Sequence, residues 1–134
     1  MRNAFIRVAL IPGICVVMPA APARADEGDS TVTYEVVSDS VGVADGIEFF
    51  DGSTRQRIEH VPLPWRTDVT VANPRSLGTD GAEIRADWRS SIAAPVWRTG
   101  KWVTVRVYIG KLLRCQNTLD VGNAACYGST SFQS

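Results

Sequence analysis

Lys101-Trp102-Val103-Thr104-Val105-Arg106-Val107-Tyr108-Ile109, followed by Gly110-Lys111 and a return through Leu113 and Cys115, is the stretch that decides the fold. Val103, Val105, Val107 and Ile109 alternate with Thr104, Arg106 and Tyr108. Strict alternation marks a strand with one buried face, because successive side chains point to opposite sides. The chain then turns again between Asp120 and Asn123 and re-enters at Ala124-Ala125-Cys126-Tyr127. Parity constrains the first turn. A two-residue turn continued by a regular strand would send Leu112, Arg114 and Gln116 inward. A three-residue loop, Gly110 to Leu112, sends Leu113, Cys115, Asn117 and Leu119 inward instead, so a bulged hairpin is expected.

The same alternation recurs upstream. Val32, Tyr34 and Val36 oppose Thr33 and Glu35. Trp65, Thr67, Val69 and Val71 oppose Arg66, Asp68 and Thr70. Ala82, Ile84, Ala86 and Trp88 oppose Glu83, Arg85 and Asp87. Trp65 and Trp88 obey the inward parity and are read as core. Arg55 to His60 is a polar strand, and Pro62 and Pro64 mark an edge or a corner because proline cannot donate to a ladder. Asp45-Gly46, Asp51-Gly52 and Asp80-Gly81 are read as turns, with Ile47 to Phe50 a short strand between the first two. Their spacing lacks the alternating aspartates and closing glutamate of a calcium loop. No helical period is present. Seven or eight short antiparallel strands with frequent turn signals predict an all-β, immunoglobulin-like β-sandwich.

The ends give an address. Arg2 and Arg7 precede a short apolar run, Val8 to Met18, and Ala23-Arg24-Ala25 offers small residues for cleavage. This predicts a signal peptide over residues 1–25, cut near Ala25-Asp26, and a single secreted domain over 26–134. Pro12, Gly13 and Pro19 interrupt a run about half the ~20 apolar residues that a spanning helix needs. If the leader stays uncut, the protein is membrane-anchored. Ile14 precedes Cys15 where a lipoprotein would carry a small residue.

Of three cysteines, Cys15 goes with the leader, so Cys115 and Cys126 remain for a disulfide in an oxidising compartment. A hairpin that sets them directly opposite each other would place them within bridging range. A metal site would need more thiols or histidines than the single His60 supplies, and no cofactor is called for. The balanced charge, mildly acidic once the leader's arginines are gone, offers no clustered basic footprint for nucleic acid. For an enzyme, His60 and scattered carboxylates such as Asp87 and Asp120 form no recognisable constellation, so none is expected.

Residues 89–100 show no period. Trp97 and Arg98 stand there as candidate contact residues, since tryptophan and arginine are enriched at interfaces. Trp102 and Tyr108 share the outward parity of one strand and could extend that surface toward a glycan or lipid.

Tyr34-Glu35-Val36, then Ala44-Asp45-Gly46-Ile47-Glu48-Phe49-Phe50-Asp51, then Leu63-Pro64-Trp65, and finally Gly122 to Cys126, occur in an order that resembles the MmpS family of small mycobacterial membrane proteins. The resemblance runs from about Tyr34 to Cys126. It implies a β-sandwich on the outer side of the plasma membrane. It further implies a non-enzymatic accessory subunit of an exporter of the resistance–nodulation–division class, with a lipid or siderophore as that exporter's cargo. Two features depart from the family pattern. The leader reads as cleavable, and the first cysteine follows the glycine turn rather than preceding it. A secreted, divergent relative is therefore expected.

Overall fold

The computed structural model describes Gly13, residues 30–92 and residues 100–131. Residues 1–12 and 14–29, and with them nearly all of the expected leader, lie outside the described residues. Eight strands follow in order: β1 (Thr31–Val37), β2 (Val43–Phe50), β3 (Arg55–Pro62), β4 (Trp65–Thr70), β5 (Glu83–Asp87), β6 (Val103–Ile109), β7 (Leu112–Leu119) and β8 (Asn123–Tyr127). They form two antiparallel four-stranded sheets, β4-β1-β6-β7 and β3-β2-β5-β8. This is the expected all-β sandwich, met at the level of two packed antiparallel sheets of short strands.

The alternation read from sequence fills the space between the sheets. Val32, Tyr34, Val36, Ile47, Ile84, Trp88, Val103, Val105 and Val107 are fully buried. Burial at ~25 cal/mol per Å² of apolar surface makes these alternating positions the main favourable term of the fold. Two polar atoms inside this core find partners. The Tyr34 hydroxyl donates to the Phe50 carbonyl at 2.8 Å and accepts from the Glu83 amide at 3.2 Å. Tyr34 stands on one sheet and both partners on the other, so this is a polar tie between sheets. Burial pushes its hydroxyl pKa from the usual 10.0 up to about 12. Trp88 donates its indole N–H to the Lys101 carbonyl at 2.9 Å.

Three expectations need correction. The first concerns the disulfide. Cys115 and Cys126 are bonded, with Cα atoms 5.6 Å apart. They do not face each other across a hairpin, because β7 lies in one sheet and β8 in the other. The chain crosses between sheets after Leu119, so the bridge joins the sheets rather than two neighbouring strands. Asn117 Nδ2 donates to the Ala125 carbonyl at 3.2 Å alongside it. Local spacing reports the turn but not which sheet the next strand joins.

The second concerns the β6–β7 hairpin. Ile109 pairs with Leu112, so the turn has two residues, Gly110 and Lys111. The extra residue sits within the strand. Val107 pairs with Cys115 and Tyr108 with Leu113, leaving Arg114 as the bulge. The bulge returns Cys115 to the inner face, as parity required, but leaves Leu113 exposed. It also leaves Arg114 Nε buried with no hydrogen-bond partner among the described residues.

The third concerns Asp45-Gly46, which is not a turn. β2 runs straight through it. Gly46 pairs with Glu59 on one side and Asp87 on the other. A Cβ there would lie 2.9 Å from Arg57 Nη2, so glycine serves to let an arginine lie across the strand. Asp51-Gly52 is a turn as expected. Gly52 has φ +98°, and a Cβ on it would strike the Thr70 carbonyl.

Candidate interaction surface

The two ends of the sandwich differ. Ser30 accepts from the Val71 amide and Thr31 from the Gly110 amide, so the described chain begins beside the β6–β7 turn. Val37 pairs with Thr104 at the other end, about 20 Å away along the seven-residue strand. That far end gathers the β1–β2 connection, the Leu63-Pro64 corner and the described ends of the β5–β6 connection, residues 88–92 and 100–102.

Trp102 lies at this far end and is about half exposed, at 49%. Its backbone carbonyl is bonded to the β1–β2 connection, and the neighbouring Lys101 is tied down as well. Ser38 Oγ donates to the Trp102 carbonyl at 2.5 Å. The same oxygen accepts from the amides of Ser40 and Val41, which fixes the β1–β2 connection against it. Lys101 donates from Nζ to the Ser40 carbonyl at 3.2 Å, while its own carbonyl takes the Trp88 indole bond. An exposed indole on a pinned backbone loses little conformational freedom on binding, which favours affinity.

Nearby, Asp45 holds a one-turn 3-10 helix, Arg89–Ser91. Its carboxylate accepts from the Ser90 hydroxyl and, at 2.8 Å, from the Ser90 amide. These bonds, the hydroxyl first, hold the Asp45 carboxyl below the usual carboxylate range. The Trp88 amide donates to the Gly122 carbonyl at 2.8 Å, which ties the start of this segment to the β7–β8 turn.

The four residues singled out from sequence fare differently. Trp97 and Arg98 lie outside the described residues. Trp102 is the exposed aromatic at the far end among the described residues. Tyr108 stands six residues further along β6, roughly 20 Å from it, so the two form no common platform. Tyr108 is instead half-buried in a ladder on the outer face of its sheet. The Arg66 guanidinium lies 5.8 Å from its ring centroid, within cation–π range. Glu35 pairs with Arg106 at 2.8 Å and with Arg66 at 3.5 Å, and Arg106 donates to Gln116 at 2.7 Å.

The outer face of the other sheet holds a feature that the sequence reading missed. A shallow cleft of about 250 Å³ lies over Gly46 and Ala125, flanked by Arg57, Arg85, Asp87 and Arg89. Its arginines are already paired. Arg57 meets Glu48 at 3.0 Å, and Arg85 meets Glu83 at 2.8 Å and the Tyr127 hydroxyl at 3.1 Å. Burial opposes ionisation of Glu83, but hydrogen bonds from Arg55 and Arg85 outweigh it and hold the carboxyl below its ordinary range. The only local sign of this cleft was two small residues, Gly46 and Ala125, at positions that become neighbours only through strand pairing.

His60 is exposed on β3 with φ 53°. Among the described residues no group of three or more His, Cys, Asp and Glu is placed to hold a metal ion. No family model matches the chain, and no curated protein matches it.

Proposed function

We propose that this chain is an exported, non-enzymatic β-sandwich of the cell envelope that acts by docking a partner at the end carrying Trp102. The observation that carries the reading is Trp102 itself. Its indole is half exposed, its carbonyl accepts from Ser38, its neighbour Lys101 is tied to Ser40, and it sits at the end opposite the start of β1. A domain tethered through its N-terminal segment would present that end away from the membrane. The resemblance to MmpS proteins names the partner class: an exporter of the resistance–nodulation–division class, or its lipid or siderophore cargo. The Cys115–Cys126 bridge suits an oxidising, extracytoplasmic setting.

The test is genetic and chemical. Deleting the gene should lower export of an envelope lipid or siderophore. The wild-type gene should restore export, and a folded Trp102→Ala protein should not. An unchanged lipid and siderophore profile after deletion would reject the exporter role.

The cleft over Gly46 and Ala125 favours a second reading, a free secreted module that binds a polar glycan or lipid headgroup. Binding there should be weakened by Arg57→Ala and unaffected by Trp102→Ala. The opposite pattern, seen by titration with cell-wall glycan fragments, would return the site to Trp102.

A further inference from the structure

Four strands end the two sheets: β4 and β7 in one, β3 and β8 in the other. An open edge is a row of unpaired N–H and C=O groups that invites another strand, and proteins usually blunt it. Three of these edges are blunted. β3 carries Pro62 and the positive-φ residue His60. β7 is bulged at Arg114. β8 has only five residues. β4 has no such device, and its six residues run in unbroken register with β1.

The phase of β4 can be read from one bond. The Val71 amide donates to the Ser30 carbonyl at 2.8 Å, in the register that continues the β1–β4 ladder. In an antiparallel strand alternate residues turn both backbone groups to the same side. Val69, Thr67 and Trp65 therefore bond β1, while Arg66, Asp68 and Thr70 aim theirs away from the sheet. The Gly52 turn approaches the Thr70 carbonyl. Arg66 and Asp68 have no backbone partner on that side among the described residues.

The sequence Trp65-Arg66-Thr67-Asp68-Val69 is complementary to its own reverse. Placed antiparallel about a two-fold axis at Thr67, Arg66 faces the partner's Asp68 and Asp68 faces the partner's Arg66. These are the two residues with free backbone groups, so each opposed pair exchanges both N–H···O=C bonds. Their side chains, exposed on the outer face, form opposite-charge pairs. On the inner face Trp65 meets the partner's Val69, an aromatic–β-branched pair, and both are half-buried in the single chain. Arg66 keeps free donors because its contact to Glu35 is long, at 3.5 Å. Asp68 uses one oxygen for Thr33 at 2.6 Å and keeps the other. Moving the register by two residues, so that Asp68 faces Asp68, would oppose like charges.

We infer that two copies of this chain pair antiparallel through β4, with Thr67 facing Thr67, and join two four-stranded sheets into one of eight strands. The contact is isologous, so every change at the edge acts twice.

Sedimentation equilibrium of the full chain tests this. Wild type should show a reversible dimer. Asp68→Arg should weaken it by about tenfold or more, since two opposite-charge pairs become two like-charge pairs, and Arg66→Asp should do the same. The double variant R66D/D68R restores opposite charges in the same register and should recover dimerisation. Near-UV circular dichroism checks that each variant keeps the fold. Thr67→Cys should give a disulfide-linked dimer on mild oxidation, because directly opposed Cα atoms lie ~4.5 Å apart at such a position. Thr70→Cys should not. A chain that stays monomeric to about 1 mM, or a dimer equally tight with Asp68→Arg, would overturn the inference. So would a Thr70→Cys protein that cross-links as readily as Thr67→Cys.

Discussion

The two long sides of the sandwich close by different means. Along β7 and β8 the sheets converge until Cα atoms stand 5.6 Å apart at the disulfide, against ~10 Å for sheets packed face to face. The inward residues of β8 there are small, Ala124 and Cys126. Along β3 and β4 no covalent bridge exists among the described residues, and a row of rings fills the gap. Tyr34 lies 5.7 Å from Phe49 and Phe49 lies 5.4 Å from Trp65, centroid to centroid, both pairs tilted. One long side is therefore held by a covalent bond between small residues, and the other by packed aromatic rings.

Removing the aromatic filler should have the largest effect. Phe49→Ala leaves Tyr34 and Trp65 without the ring between them and should cost about 3 kcal/mol in urea unfolding. A loss below about 1 kcal/mol would mean the aromatic side collapses freely around the gap. Next comes the disulfide side. The double variant Cys115→Ala/Cys126→Ala reopens an 11-residue link and should cost roughly 3 kcal/mol, with the fold retained because the aromatic side is untouched. Complete unfolding of that variant would show that the bridge supports both sides.

A pH experiment sharpens the contrast. Tyr34 ties the sheets with a hydroxyl whose pKa rises from 10.0 to about 12 on folding. A raised pKa favours the protonated form in the folded state. Its contribution is therefore fully present below pH 10 and is lost as pH climbs toward 12, on the order of 2 to 3 kcal/mol. Tyr34→Phe should lose about 1 to 2 kcal/mol at neutral pH, from the unpaired Phe50 and Glu83 groups, and should remove that part of the alkaline loss. The smallest effect is expected on the outer face. Gly46→Ala has only the mobile end of Arg57 to displace, so stability should move by less than about 0.5 kcal/mol.

Much of this architecture was legible because alternation is local. β1, β4, β5 and β6 could be read from period two alone, and the inward tryptophan at 88 with them. What was not legible depended on distant pairing. Gly46 reads as a turn residue until β3 and β5 are placed on either side of it. Cys115 and Cys126 read as hairpin partners until β8 joins the other sheet. Parity demanded an extra residue near Gly110, yet did not say that Arg114 rather than the loop would supply it. The same limit applies to the surface. Trp102 could be picked out by its outward parity, whereas the roughly 20 Å between it and Tyr108 follows from strand rise. The cleft over Gly46 and Ala125 exists only after four strands are in register.

The start of β1 beside the Gly110 turn has one more consequence. The inferred antiparallel pair exchanges ends, so each chain's point of entry lies at the same end of the joined sheet as the other's Trp102. Two copies held upright by uncut leaders in one bilayer could not form that pair, because their tethers would need to emerge on opposite sides. A released pair faces no such conflict. If the leader is cut at Ala25, as its sequence predicts, and the chain pairs through β4 as inferred, then cleavage acts as a licence for assembly, and anchored and paired protein are mutually exclusive populations.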